Sequence, residues 1–209
     1  MKLEPDQLLL LQSLIPKHRG VFSTYDLANL LSANSSVALS RKLKPFLKAG
    51  LLHPFCRGYY VADNFSLEWL SQRLSPGSAL SFGTVLAKKG LIGNIPQKTV
   101  YAIKIGKTRI YQSRLGNIVH FGYASPAAGR RHWFGYADWE GGILSADTEK
   151  AFLDTLYFYQ SGNKFSFNIY SDIAVEKLDS RKIENYLKKY KNPKFIVFVK
   201  GVLHGYHSV

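Results

Sequence analysis

Between residues 5 and 50, apolar side chains recur at helical spacing in three short blocks, separated by residues that stop helices. Leu8, Leu11 and Ile15 form the first stripe, widened by Leu9, Leu10 and Leu14, and Pro5 suits an early helical turn. The spacing predicts a helix over 5–15 that stops before Pro16, with Gly20 in the turn. Ser23-Thr24-Tyr25-Asp26 has the form of a capping box, with aspartate where glutamate or glutamine is usual. Leu27, Leu30 and Leu31 give that second helix its buried side, and it ends around residues 32–34. A third helix starts at Ser35 or Ser36 and runs to about Ala49, where Gly50 offers a left-handed cap. Val37, Leu39, Leu43, Phe46 and Leu47 can supply its packing side. Pro45 conflicts with a continuous helix, so a kink or two shorter segments are expected. Two short extended runs follow, Leu51–Pro54 and Tyr59–Val61, around the basic turn at Arg57-Gly58.

Three helices followed by a hairpin is the order of a winged helix-turn-helix, expected over residues 1–64. A helix fits the major groove of B-form DNA, while serine hydroxyls and basic side chains hold phosphates. The candidate contacts are Ser36, Ser40, Arg41 and Lys44, with Ser35 and Lys48 at the ends of the same helix and Arg57 in the wing. Protein-interaction modules also use small three-helix units, and surface lysines and arginines often do no more than face water.

Charge argues for a polyanionic partner. The chain carries 28 Lys plus Arg against 14 Asp plus Glu, a net +14. Counted along the sequence, residues 1–64 hold a net +4, residues 65–142 a net +7 and residues 143–209 a net +3. The excess therefore belongs to segments with apolar periodicity, not to a basic tail. Lys104, Lys107, Arg109, Arg114, Arg130 and Arg131 mark a possible second basic surface in the middle third.

The rest of the chain, residues 65–209, reads as a mixed α/β domain. Ser66 caps a short helix over Leu67, Trp69, Leu70 and Leu74, and Ser78–Lys89 reads as another helix closed by Gly90. Residues 100–105 form the first strong strand, turned by Gly106-Lys107 into 108–112, and a third extended region covers 118–124. Residues 129–136 are basic and aromatic. They suit base stacking, but a strand packing its aromatic side on a helix is the preferred reading. Asp147 caps a helix that buries Ala151, Phe152 and Leu156. Asp147, Glu149 and Asp154 read as capping and ion-pairing residues, with Lys150 able to pair with either neighbour. Phe165–Tyr170 is expected to be briefly extended. Asp179 or Ser180 caps a helix bearing Ile183, Tyr186 and Leu187. Its lysines 182, 188, 189 and 191 form a basic patch. Residues 194–199 read as a closing strand and 201–209 as loose.

The order resembles the AbiEi-type antitoxins, the antitoxin-regulators of type IV toxin–antitoxin systems. The residues that carry this are Arg57-Gly58-Tyr59-Tyr60, Ser78-Ala79-Leu80 and the run Ala146-Asp147-Thr148-Glu149-Lys150-Ala151-Phe152-Leu153-Asp154. The resemblance implies an α+β chain with an N-terminal winged helix-turn-helix and a larger C-terminal antitoxin domain. It also implies repression of the chain's own operon through inverted repeats and antagonism of a nucleotidyltransferase-like toxin without a stable complex. The recognition helix would then hold Ser36, Ser40, Arg41 and Lys44, and the wing Arg57. The helix after Pro76 departs from the family, reading Ser81-Phe82-Gly83-Thr84 without the aromatic or histidine-rich character often found there.

Enzymatic patterns are missing: the sequence has no Walker-type glycine loop, no HExxH and no nucleophile elbow. Cys56 is the single cysteine, which leaves no internal disulfide and favours a reducing, cytoplasmic setting. It could imitate a Cys–His pair with His53 or His132, but a packing role is preferred. His204 and His207 are weak candidates for adventitious metal. No cofactor, metal site, catalytic residue, signal peptide or membrane partner is expected. The opposing readings are a stand-alone winged-helix regulator, or an RNA- or protein-interaction module using residues 98–136 and 181–200.

Overall fold

The computed structural model describes residues 5–93, 97–123, 125–139 and 141–206. The chain divides into two units, residues 1–70 with 112–115 and residues 71–111 with 116–209, and its architecture is mixed α+β.

In the first unit the apolar blocks become α1 (Pro5–Lys17), α2 (Thr24–Leu30) and α3 (Ser36–Lys48). All three end alike. An N–H reaches back five residues, from Gly20 to Ile15 (2.8 Å), Ala33 to Ala28 (2.8 Å) and Leu51 to Phe46 (3.0 Å). Arg19, Ser32 and Gly50 thereby take positive φ values of 49°, 46° and 69°. These Schellman-type ends satisfy carbonyls that the last helical turn leaves unpaired. Gly50 is the left-handed residue expected there; Arg19 and Ser32 adopt the same conformation without glycine's freedom.

Neither proline breaks its helix. α1 runs through Pro16, and α3 is a single helix of 13 residues containing Pro45. Each proline withholds one donor, but the carbonyls left over belong to Gln12 and Arg41, both exposed residues. The buried stripe Leu39, Leu43 and Phe46 holds α3 across the proline. Val37 is not on that packing side: it is 78% exposed, and Leu9 and Leu10 of α1 are also exposed.

Strand β1 (Val21–Ser23) precedes α2, and β2 (His53–Cys56) and β3 (Tyr59–Val61) follow α3. They form an antiparallel sheet in the order β1-β3-β2, with Val61 opposite both Val21 and His53. The core beneath gathers Leu11, Phe22, Leu27, Leu39, Leu43, Phe46 and Leu52. Helix α4 (Leu67–Leu74) follows, its Trp69 N–H donating to the Ser66 hydroxyl at 3.0 Å as its sequence predicts.

The second unit is built on a six-stranded sheet of β4 (Ala79–Leu80), β5 (Thr99–Ile105), β6 (Arg109–Ser113), β7 (Gly116–Tyr123), β8 (Tyr136–Asp138) and β9 (Leu144–Ala146). Their order is β6-β7-β5-β4-β9-β8. Its helices are α5 (Phe82–Lys88), α6 (Pro126–His132), α7 (Thr148–Gln160), α8 (Ser180–Leu187) and α9 (Pro193–Tyr206). Helix α7 packs against α5, α8 and α9 and is buried almost all round, as expected of a core helix.

The structure departs from the sequence expectation at six places. Residues 78–80 do not open a helix. Ala79 and Leu80 are fully buried and pair with Ile103 and Ala102 on one side and, through Leu80, with Ser145 on the other. A pairing site between two strands outweighs the helical preference of three residues. Strand β6 does not fold back on β5. It borders β7, and β7 lies parallel to β5 from Thr99↔Asn117 to Ile105↔Tyr123. Residues 129–132 belong to α6, and only Tyr136–Asp138 are a strand. Residues 194–199 belong to α9, because the buried positions are Phe195, Val199 and Val202, a helical period. Asn192 caps it through the N–H of Lys194 at 3.0 Å, and Pro193 occupies the first turn. The helix continues to Tyr206, so 201–206 are ordered, while 207–209, including His207, lie outside the described residues, as does Ala124. Phe165–Tyr170 forms turns and bends without a strand.

One close approach fixes the β5–β6 connection. A Cβ on Gly122 would stand 2.0 Å from the carbonyl oxygen of Gly106 and 2.8 Å from the backbone nitrogen of Thr108. These are backbone atoms and cannot swing aside. Gly122→Ala is therefore expected to cost roughly 2–3 kcal/mol, read as a lower denaturant midpoint with an unchanged slope. An unaltered midpoint would mean that the connection moves away freely.

Candidate nucleic-acid interface

Two local devices fix the ends of α2, and the second ties α3 to it. Ser23 accepts from the Asp26 N–H (3.1 Å) while Asp26 accepts from the Ser23 N–H (2.7 Å), so the capping box is closed in spite of its shorter acid. At the other end of α2, the Lys42 ammonium donates to the carbonyls of Leu31 (2.5 Å) and Ser32 (3.1 Å). A cation on the last carbonyls of a helix is favoured by their unpaired acceptors and by the helix dipole. Lys42 thus ties α3 to the end of α2. Sequence reasoning missed it, because a lysine in a basic helix carries no mark of the carbonyls it will meet.

Ser35 caps α3 by accepting from the Ala38 N–H at 3.1 Å, a contact worth about 1 kcal/mol. From there the exposed residues follow helical spacing. Ser36, Val37, Ser40, Arg41 and Lys44 line one shallow surface depression, with Lys48 exposed in the last turn. Residues 36–48 contain no aspartate or glutamate, so α3 itself places no counter-charge beside Arg41 and Lys44. Tyr25, 74% exposed on α2, and Val37 add apolar groups that the periodicity had not placed at the surface.

Arg57 is exposed in the β2–β3 turn, where Gly58 takes φ 85°. The Gly58 carbonyl accepts from the Thr24 N–H at 2.9 Å, which anchors the turn to the first residue of α2. Burial pushes the Cys56 thiol up, the opposite of what a nucleophile needs, and the His53 ring is paired with Asp63 at 2.9 Å.

The second basic group is dispersed. Lys104 on β5 lies within the field of Arg109 on β6: burial first, and then the charge of Arg109, lower the Lys104 pKa. Lys107 is exposed in the connection between them, and Arg130 and Arg131 are exposed in the last turn of α6, which packs on β5 and β7. Arg114 lies in the 112–115 segment that groups with the first unit.

The acidic residues around α7 are all occupied. Asp147 caps α7 by accepting from the Lys150 N–H (2.8 Å), and also accepts from the Tyr186 hydroxyl (2.5 Å). Lys182 bridges Asp147 (3.2 Å) and Glu149 (2.8 Å). Partial burial opposes the Lys182 charge, but the two carboxylates more than offset it and raise its pKa. Lys150 pairs with neither Asp147 nor Glu149 through its side chain: its ammonium meets Asp154 at 2.6 Å, both groups fully buried. Of the lysines that follow α8, Lys188 donates to Asn185 and Lys189 lies over the Phe134 ring at 4.5 Å. Among the described residues, no three His, Cys, Asp or Glu side chains are grouped to hold a metal ion. No described helix is long and apolar enough to cross a membrane.

No protein-family model matches the chain, and no curated protein does either. Among solved structures, the crystal structure of the RV2827C protein from Mycobacterium tuberculosis is similar over 98% of this chain and 78% of its own, with a TM-score of 0.62 and 13% identity. The likeness is one of fold. At that identity it covers both units of the chain and carries the α+β architecture without any residue-level correspondence.

Proposed function

We propose that this chain is a sequence-specific DNA-binding transcriptional repressor whose residues 1–64 act as a winged helix-turn-helix, with α3 as recognition helix and the β2–β3 hairpin as wing. One observation carries the reading: Ser36, Ser40, Arg41 and Lys44 share an exposed, acid-free face on a helix whose start is capped by Ser35 and whose angle to α2 is tied by Lys42. On such a face the arginine reads base edges, the serines and Lys44 contact phosphate or base, and Arg57 anchors the neighbouring backbone. Repression is by occupancy of the operator, with no chemical step. With inverted repeats, two copies occupy one operator.

The second half of the proposal is antagonism of a nucleotidyltransferase-like toxin, as in the AbiEi-type antitoxins of type IV systems. Its support is the sequence resemblance, above all Arg57-Gly58-Tyr59-Tyr60 and the run Ala146–Asp154, whose first acid caps α7 and whose last closes the buried pair with Lys150. Selection of duplexes from a random pool tests the DNA half. Convergence on one inverted-repeat consensus is expected, and recovery of unrelated sequences would overturn it. Co-expression with a nucleotidyltransferase-like product encoded beside this chain tests the second half. Restored growth is expected, whereas unrelieved toxicity would leave a regulator alone.

A further inference from the structure

Helix α1 keeps one side in the core and leaves the other uncovered. Leu11 is buried and Leu14 and Ile15 pack beside it, whereas Leu9 and Leu10 are 65% and 45% exposed. Asp6, Leu9, Leu10, Ser13 and Lys17 recur at i, i+3, i+4, i+7 and i+11, so they share one face, and all five are exposed. A lone leucine at the surface is ordinary, but two adjacent ones on the outward face of a helix form an apolar strip that the fold does not use. None of the roles described above uses this face.

The face is its own complement. Asp6 stands in the first turn and Lys17 in the last, both exposed and without an ion pair among the described residues. A second α1, turned antiparallel about a two-fold axis between Leu11 and Gln12, sets Asp6 against the other copy's Lys17, Leu9 against its Leu14 and Leu10 against its Ser13. Both charge pairs then form at once, ~16 Å apart along the helix. A parallel arrangement would instead set Asp6 beside Asp6 and Lys17 beside Lys17. Ser13 at the centre is small enough for close approach. Its hydroxyl already donates to the Leu10 carbonyl at 2.8 Å, so covering it strands no donor.

We propose that the outer face of α1 is a self-association surface whose occupant is a second copy of this chain, packed antiparallel through Leu9, Leu10 and Ser13 with reciprocal Asp6–Lys17 pairs. One helix of 13 residues offers a contact at the small, transient end of protein interfaces. A Kd of ~10–100 μM is therefore expected. The surface uses none of the residues assigned to DNA and is measured without DNA, so its failure and that of the repressor reading are separate results.

The experiment is sedimentation equilibrium of the full chain from ~5 to ~500 μM, a range that brackets that Kd. The average mass should rise with concentration from 23.6 kDa toward twice that value. Leu9→Gln with Leu10→Gln, both at exposed positions, should weaken association at least ~10-fold. Asp6→Lys alone and Lys17→Asp alone should each weaken it by a similar factor, because both pairs turn repulsive. An equimolar mixture of these two single variants should associate about as tightly as the wild type, since opposite charges face each other again. That recovery also shows that neither variant is misfolded, and the leucine variant tests the surface independently of charge. A mass fixed at 23.6 kDa across the range would overturn the proposal. So would association unmoved in the leucine variant, or a mixture that associates no better than its components.

Discussion

Asp154→Ala is expected to remove about 3–5 kcal/mol of stability, the largest loss of any single substitution considered for this chain. Asp154 is fully buried and serves four donors: Lys150 at 2.6 Å, the Ser81 hydroxyl at 2.7 Å, and the hydroxyls of Tyr136 and Tyr123 at 2.8 and 3.2 Å. Burial, followed by the Asp154 charge, raises both tyrosine pKa values well above the ordinary range, so these groups stay protonated and keep donating. Burial also lowers the Lys150 pKa, against the pull of Asp154. Deleting the carboxylate strands the ammonium with only the Tyr190 hydroxyl at 3.1 Å and the faces of Phe134, Tyr136 and Tyr190. Domains have ~5–15 kcal/mol in all, so the variant sits near the edge of folding. Lys150→Met is expected to cost less, because three hydroxyls still serve the carboxylate. Denaturant titration measures both. A loss under ~1 kcal/mol for Asp154→Ala would mean that the buried carboxylate and its four donors do not hold the second unit together.

Acid should weaken the second unit before most carboxylates titrate. His120 and His132 are both buried, and both are held to a pKa of about 4 against an ordinary 6.5. For His120 the causes are burial and then the charges of Lys104 and Arg109; its Nε2 bonds the Ser71 hydroxyl at 2.8 Å and its Nδ1 is buried with no hydrogen-bond partner. For His132 the cause is again burial first, then Lys150, partly opposed by Asp154, with Tyr123, Tyr157 and Tyr190 packed on the ring. Above pH 6.5 the rings are neutral in both folded and unfolded chains, and their full contribution is present. As pH falls from 6.5 toward 4, the unfolded chain takes up protons that the folded chain refuses, so stability falls. By pH 5 the loss is about 2 kcal/mol from each ring. Unfolding free energies measured from pH 7.5 to 5 should show the decline, and His120→Gln with His132→Phe should flatten it. A wild-type profile level across that window would contradict the assignment.

Local chemistry was the most legible part of the sequence. Ser23 with Asp26, Ser66, Asp147, Asp179, Gly50 and Gly90 announce helix ends through neighbours within a few residues, and the structure uses every one of them. What the sequence could not display was competition from distant segments. Ala79-Leu80 reads as helix until β5 and β9 are present to pair with it. Residues 194–199 look like a strand because they are aromatic and β-branched, yet the partners of Phe195 and Val199 require a helical period. At the candidate site, the exposure of Ser36, Ser40, Arg41 and Lys44 followed from spacing. The roles of Lys42 and Val37 did not: one depends on carbonyls at the end of another helix, and the other on which apolar residues the core leaves outside. Ion pairing of Lys150 with a nearby acid was legible; its burial was not, and burial is what singles out Asp154 over the i, i+3 alternative Asp147.

The decisive measurement is equilibrium binding of the selected duplex, a scrambled duplex and a structured RNA at two salt concentrations, with the wild-type chain and with Arg41→Ala plus Lys44→Ala. A preference of ~10³-fold or more for the selected duplex is expected, lost in the variant, with the salt slope reduced by about one for the phosphate contact. Binding that is equal for all three nucleic acids, varies only with salt and is indifferent to the two substitutions would contradict it.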